Sequence, residues 1–347
     1  LAVGFSKTVL NVFYKPELHG LQNLDDALEK ARTENRGLLT VMNHMSVVDD
    51  PFMWGLLPWR FFTNIDDIRW GLAASNLCFA SKGATYFFSL GKILGTDRFG
   101  GSPYQGSIDA SIRLLSPDDT LDLIYDGQEA TNKTWLDESV IFKKFKENYT
   151  APIIRTKPSW LHVFPEGYVL QLQSPFSNSM RYFKWGITRT ILESTRQPVV
   201  LPIFAHGFEK ISPEFEADGV MNRLLPSNIG AEVHMHISRP IDDAVIHNYR
   251  KEWLDLVKKY GDGKDLTDEL KFGKKAQDLR ARLAGELRAH VAKIRHEVGF
   301  PREDPRFSDH KWWRKYTKSE GSSDPEVKFI GLNWAIRRLH GLKDDDE

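Results

Sequence analysis

The chain has 347 residues, with 47 basic and 47 acidic side chains and a single cysteine, Cys78. That length suits one large α/β domain with extensions, and the charge balance argues against a generic nucleic-acid binder. The lone cysteine excludes an intrachain disulfide and a multi-cysteine metal site, and reads as a small core residue.

Leu1 to Tyr14 is the most apolar opening stretch and reads as part of an interfacial helix; starting without Met, it leads us to expect a longer natural N-terminus. Residues 16–36 are polar, charged and helix-like. An α/β core is expected from about Gly37 to about Ile237, with strands near 38–43, 120–125, 160–164, 199–204 and 231–237. Helices are expected over 51–57, 83–94, 105–115 and 184–196, and residues 126–158 turn polar, as an insertion loop would. The most regular helix is C-terminal, where Ala276, Leu279, Leu283, Leu287, Val291, Ile294 and Val298 recur at three and four. Its Arg and Lys face suits either solvent or a membrane surface. Beyond Pro301 lies a polar tail with Trp312, Trp313 and Trp334 as docking points. This predicts peripheral helices over 1–36, an α/β domain over 37–240 and a C-terminal helical extension over 241–347.

Chemistry concentrates in Asn43-His44-Met45-Ser46-Val47-Val48-Asp49-Asp50-Pro51. An imidazole can take a proton near neutral pH, and a carboxylate on its far nitrogen fixes the tautomer and stabilises the imidazolium. Residues five apart on a helix diverge by roughly 140°, so His44 and Asp49 can meet only if the chain bends between them. A strand ending near Met42, followed by a helix starting at Asp50-Pro51, supplies such a bend. The same residues also fit a plainer pattern, two acids capping a helix beside a loop histidine. If His44 is a base, no enzyme nucleophile stands beside it in the motif, and the attacking hydroxyl belongs to the substrate.

Three later segments change the weighing. Ser89 to Arg98 ends a helix-like stretch in an arginine, Trp160 to Gly167 runs from a strand into Pro165-Glu166-Gly167, and Pro198 to Phe204 is a buried strand carrying Pro202. In order and content the four blocks resemble the glycerolipid acyltransferase family. Within it, residues 43–51, Ser107 to Leu115, Asn178 to Gly186 and Asn333 to Arg338 resemble the tafazzin group in its fungal form, and the resemblance spans essentially the whole chain. Tyr168-Val169 stand where the wider family carries Thr or Ser and then Arg, which weakens an acyl-CoA donor.

The resemblance implies a mixed sheet flanked by helices, with His44 and Asp49 as a catalytic dyad. It implies a CoA-independent phospholipid–lysophospholipid transacylase that remodels cardiolipin, drawing on phosphatidylcholine and monolysocardiolipin, without cofactor. It also implies a mitochondrial protein, monotopic on inner and outer membranes and facing the intermembrane space, and is compatible with a homo-oligomer. Arg98 then binds lipid phosphate through its planar fork, unless it only pairs with an acid such as Asp97. Glu166 holds the polar head or positions Arg98, Gly167 permits close backbone approach, Pro202 shapes the site, and Asn43 orients His44 or donates to the oxyanion. Two other functions stay open: an acyl-CoA-dependent lysophospholipid acyltransferase, and a non-catalytic membrane-surface protein on the same fold.

No sequence window reaches the ~20 apolar residues that cross a bilayer. Trp54, Leu56, Leu57, Trp59, Phe61 and Phe62 are the expected membrane contacts, with Tyr168 to Phe176 as a second candidate; ordinary core is the alternative for both. His234 and His236 alternate with Val233, Met235 and Ile237, as histidines on the polar face of a half-buried strand do, and no metal is expected.

Overall fold

The computed structural model describes residues 2–79, 81–97, 102–117, 157–214, 227–263, 265–313, 326–328 and 330. Seven strands form one sheet: β1 (Lys15–His19), β2 (Leu38–Met42), β3 (Trp70–Ala74), β4 (Ile93–Thr96), β5 (Trp160–Val163), β6 (Val199–His206) and β7 (Glu232–Ile237). Their order is β1-β7-β6-β2-β5-β3-β4. Among the described strand pairs only β6–β7 is antiparallel, so the sheet is mixed, as expected.

Period-2 alternation builds a core on each face. Along β2, Leu39 and Val41 enter one core, and Leu38 and Met42 the other. The first core is covered by helices Gly106–Leu115, Asp243–Tyr260 and Lys274–Glu297. The second is covered by Ala2–Phe13, Leu21–Thr33 and Asp49–Met53. Every residue of β2 is therefore buried, which is why it reads as an apolar run interrupted only by Thr40, whose hydroxyl is hydrogen-bonded to β5.

Three strands depart from the expectations. β1 occupies residues expected to be helical; as an edge strand it alternates exposed Lys15, Glu17 and His19 with half-buried Pro16 and Leu18, an apolar face of only two residues. The helix expected over 83–94 stops at Leu90, and Gly91 and Lys92, the latter at φ 58, turn the chain into β4. β3 was not foreseen. The helix expected over 184–196 shrinks to a 3-10 turn, Trp185–Thr188, and a single helical turn, Arg189–Leu192. The strand expected near 120–125, nearly all of the 126–158 loop, and Trp334 lie outside the described residues. Trp313 docks as expected, buried with Leu170, Leu172, Phe307 and Val327.

Candidate active site

β2 and β5 are parallel, so His44, two residues past β2, and Pro165-Glu166-Gly167, just past β5, leave the sheet at one edge. After Met42 the chain bends instead of entering a helix, and the Asp49 N–H closes the turn on the Ser46 carbonyl at 3.1 Å. The bend brings His44 Nδ1 to 2.9 Å from Asp49 Oδ2. The same oxygen accepts the backbone N–H groups of Met45 at 2.6 Å and Ser46 at 2.8 Å. An ionised carboxylate only accepts, so the proton sits on Nδ1 and Nε2 presents a lone pair. The His44 side chain is 20% exposed and that of Asp49 only 2%, so the imidazole reaches solvent while the carboxylate stays out of water. Phe164 stacks on the imidazole with ring centres 4.4 Å apart.

The loop is clamped from beneath. Glu166 is buried, and its two oxygens accept the N–H of His44 at 2.7 Å and of Arg181 at 2.8 Å. Burial pushes its carboxyl up to about 8, against the pull of those two backbone hydrogen bonds. The Leu170 N–H donates to the His44 carbonyl at 3.0 Å, and the Gln171 amide to the Met45 carbonyl at 2.7 Å. Gly167 lies at φ +80, and a Cβ there would stand 2.9 Å from Lys184 Cε, so the turn after Glu166 requires glycine.

Residues 15–206 match the family model described as Acyltransferase, a stretch that includes His44, Asp49 and Glu166. Over 343 residues, 98% of this chain and 87% of the relative, the sequence is 57% identical to tafazzin of Saccharomyces cerevisiae. The chain belongs to the tafazzin group of the acyltransferase family. Tafazzin of Drosophila melanogaster is 30% identical over 70% of this chain and 50% of its own length. N-acylphosphatidylethanolamine synthase of Arabidopsis thaliana is 30% identical over 70% of this chain and 71% of its own. The chain is therefore an acyltransferase.

Other site residues fall in different places. Asn43 is buried with its amide on the backbone of Ala205, donating to the carbonyl and accepting the N–H, both at 2.9 Å; it ties the end of β2 to β6. Pro202 pairs with Val41 within the sheet. Arg98 lies outside the described residues. The expected membrane contacts need correction, because Trp54, Leu57 and Phe61 are buried in the core beside the Ala2–Phe13 helix. Leu56 and Phe62 are half-buried, and of the six only Trp59 stands out, at 57% exposure. Trp54 opens the 3-10 turn Trp54–Leu56 and Leu57 caps it, while Phe61 turns inward from the next turn, Trp59–Phe62, whose Trp59 and Arg60 take the exposed positions. In the second candidate segment Tyr168, Val169, Leu170 and Leu172 are buried too.

Two groups at the site carry no strong sequence signal. Arg69 Nη2 donates to both carboxylate oxygens of Asp50 at 2.9 Å, which engages the acid next to Asp49. Arg181 is buried with its guanidinium 3.6 Å from the Tyr168 ring centre and 4.8 Å from that of Trp313. Burial lowers its pKa to about 10. The C-terminal helix holds this region through arginines. Arg288 donates to the carbonyls of Met180 and Arg181 at 2.8 Å, and Arg295 donates to that of Asn178 at 2.7 Å. These two arginines are buried and face inward.

Proposed function

We propose that the chain moves an acyl chain directly from a phospholipid to the free hydroxyl of a lysophospholipid, without CoA, and so remodels cardiolipin. The observation that carries this is the His44–Asp49 pair, whose base lies at the surface with its proton fixed on the inner nitrogen. Ser46, the hydroxyl nearest in sequence, is buried and directs its Oγ to the Ser212 carbonyl at 3.3 Å, which supports a substrate hydroxyl as nucleophile. His44 Nε2 takes the proton of the lysophospholipid hydroxyl as its oxygen adds to the donor ester carbonyl. The tetrahedral intermediate expels the donor's alkoxide, which recovers the proton from the imidazolium. One ester forms, one breaks, and Asp49 holds the transient positive charge throughout.

Glu166 acts as a positioning residue: it fixes the backbone of His44 from below, while Arg98 remains the proposed phosphate anchor. No described helix is long and apolar enough to cross a membrane, which agrees with monotopic attachment. We assign it to mitochondrial membranes facing the intermembrane space, on the strength of the tafazzin relationship. The contact surface we propose joins Trp59 to Phe5, which is 67% exposed and lies edge-on to Phe52 of the helix that begins at Asp49. Phe5→Asp with Trp59→Asp should release folded protein in liposome flotation. If the double variant stays bound, this surface is wrong.

The deciding assay offers purified protein lysocardiolipin and phosphatidylcholine labelled in one acyl chain, with and without CoA. Label should reach cardiolipin equally in both. A strict need for CoA or acyl-CoA would favour the acyl-CoA-dependent enzyme instead.

A further inference from the structure

The alternation of His234 and His236 along β7 places both on one face of the sheet, and the register adds partners from either side. β1 aligns Glu17 with His234 and His19 with His236, while β6 aligns His206 with His234. Residues paired in register, or two apart along a strand, share a face. Three strands thus bring four imidazoles and one carboxylate together, with His19 and His234 separated by 215 residues of chain.

We propose that this face binds a divalent transition-metal ion, zinc by its donor chemistry, through His19, His234 and His236 with the Glu17 carboxylate as fourth donor. Each histidine offers one ring nitrogen, and the three atoms lie within 4.8 Å of one another. Metal–nitrogen bonds of 2.0–2.1 Å in a tetrahedron place neighbouring donors about 3.3 Å apart. His19 Nε2 and His234 Nδ1 are 3.4 Å apart, and Glu17 Oε2 lies 3.2 Å from the first and 3.4 Å from the second. Three edges of the required polyhedron therefore already have about the right length, and His236, whose nitrogen lies within 4.8 Å of the other two histidine donors, closes it by reorienting its side chain. The His236 ring stacks on His19 with centres 4.4 Å apart and planes within 4° of parallel, so it must turn out of the stack to aim its nitrogen at a shared ion. His206 Nε2, 3.3 Å from His236 Nε2, backs the cluster from β6.

Imidazole and carboxylate suit zinc, and would also take copper or nickel. The His19 side chain is 46% exposed, which gives an ion a route in from solvent. The competing description is a set of imidazole and carboxylate hydrogen bonds with no ion. The two differ in consequence, since a bound ion would fasten the edge strand β1 to β7 and raise the stability of the whole chain.

The test uses the full chain without an affinity tag, stripped with a chelator and titrated with zinc against a chromophoric competitor. One saturable equivalent is expected, with a higher melting temperature when zinc is bound. His19→Ala and His236→Ala should each weaken zinc by at least the ~10-fold seen even for outer-shell changes, and should remove the thermal shift. His290→Ala, on the C-terminal helix, should leave both unchanged. Should His236→Ala fail to fold by circular dichroism, the exposed His19→Ala decides alone. Cobalt substitution should give the absorption of a tetrahedral N/O site in the unaltered chain and not in His19→Ala. Absence of saturable binding, or equal weakening by His290→Ala, would overturn the site and leave a hydrogen-bonded histidine network only.

Discussion

Two histidine groups occupy one sheet and are managed in opposite ways. In the loop after β2 a single imidazole has a carboxylate to itself, and that carboxylate is buried and collects three donors on one oxygen. On the β1-β7-β6 face several imidazoles crowd around the exposed Glu17. Burial, and then the neighbouring histidines, hold His206 down at about 3 and His236 at about 4, so neither charges near neutral pH. The first arrangement gives one imidazole one buried carboxylate, as the proposed base requires. The second gathers several ring nitrogens in one place, as the proposed ligand set requires. Residue type alone does not separate a base from a ligand set; the number of carboxylates per ring and their burial do.

The largest effect expected from altering this contrast is at Asp49. Asp49→Asn puts an amide where three donors converge, so the Nδ1 proton is no longer fixed and transfer should fall by ~10²-fold or more. Zinc titration of the same variant should match that of the unaltered chain. A parallel loss of both would mean that the two regions are not independent.

Glu166→Gln is expected to act more gently. One oxygen must become an NH2, so one of two buried N–H groups loses its acceptor, at a cost of about 1–3 kcal/mol. The pH dependence supplies a finer check. The folded carboxyl is raised to about 8 from an ordinary value of 4.5, so its contribution is fully present below 4.5 and is lost as pH rises through about 8. Thermal unfolding at pH 5 and pH 9 should show a loss in the unaltered chain that is smaller in Glu166→Gln. Equal losses would remove Glu166 as the source.

Gly167→Ala forces a side chain into left-handed geometry and against Lys184, which should cost ~1–2 kcal/mol in denaturant unfolding. An unchanged midpoint would mean the turn relaxes. The smallest effect belongs to the other face. Without metal, Glu17→Gln should shift stability by less than ~1 kcal/mol, because its pairs with His19 and His234 are exposed on the carboxylate side. A larger loss would show that Glu17 is as tightly held as Asp49.

The two regions also differ in how far the sequence reveals them. His44 and Asp49 are five residues apart, and the strand, bend and proline around them can be read locally; the 2.9 Å contact follows that reading. The cluster on β1, β7 and β6 depends on a register no local pattern encodes, so His234 and His236 read only as the polar face of a strand. Glu166 stands out in its block, but its partner, the His44 N–H, lies 122 residues away, and its buttressing role is therefore hidden. The strands β2, β5 and β6 are legible because burial keeps them largely apolar, and β7 by its alternation, while β1 and β4 are the edge strands and β3 carries a glycine and two alanines in place of a branched apolar run. Aromatic density between Phe52 and Phe62 does not tell membrane from core, and here core prevails at Trp54, Leu57 and Phe61. The C-terminal stripe of Leu, Val and Ile is correctly an inward face. Arg288 and Arg295 bury beside it because carbonyls of residues 178–181 need donors.

The central claim, that His44 removes the proton from the attacking hydroxyl, is tested most directly by His44→Ala in vesicles holding lysocardiolipin and acyl-labelled phosphatidylcholine. Circular dichroism and flotation confirm that the variant folds and binds. The account predicts a loss of label transfer of at least ~10²-fold, with fold and membrane binding intact. Transfer at near the unaltered rate with saturating lipid would contradict it.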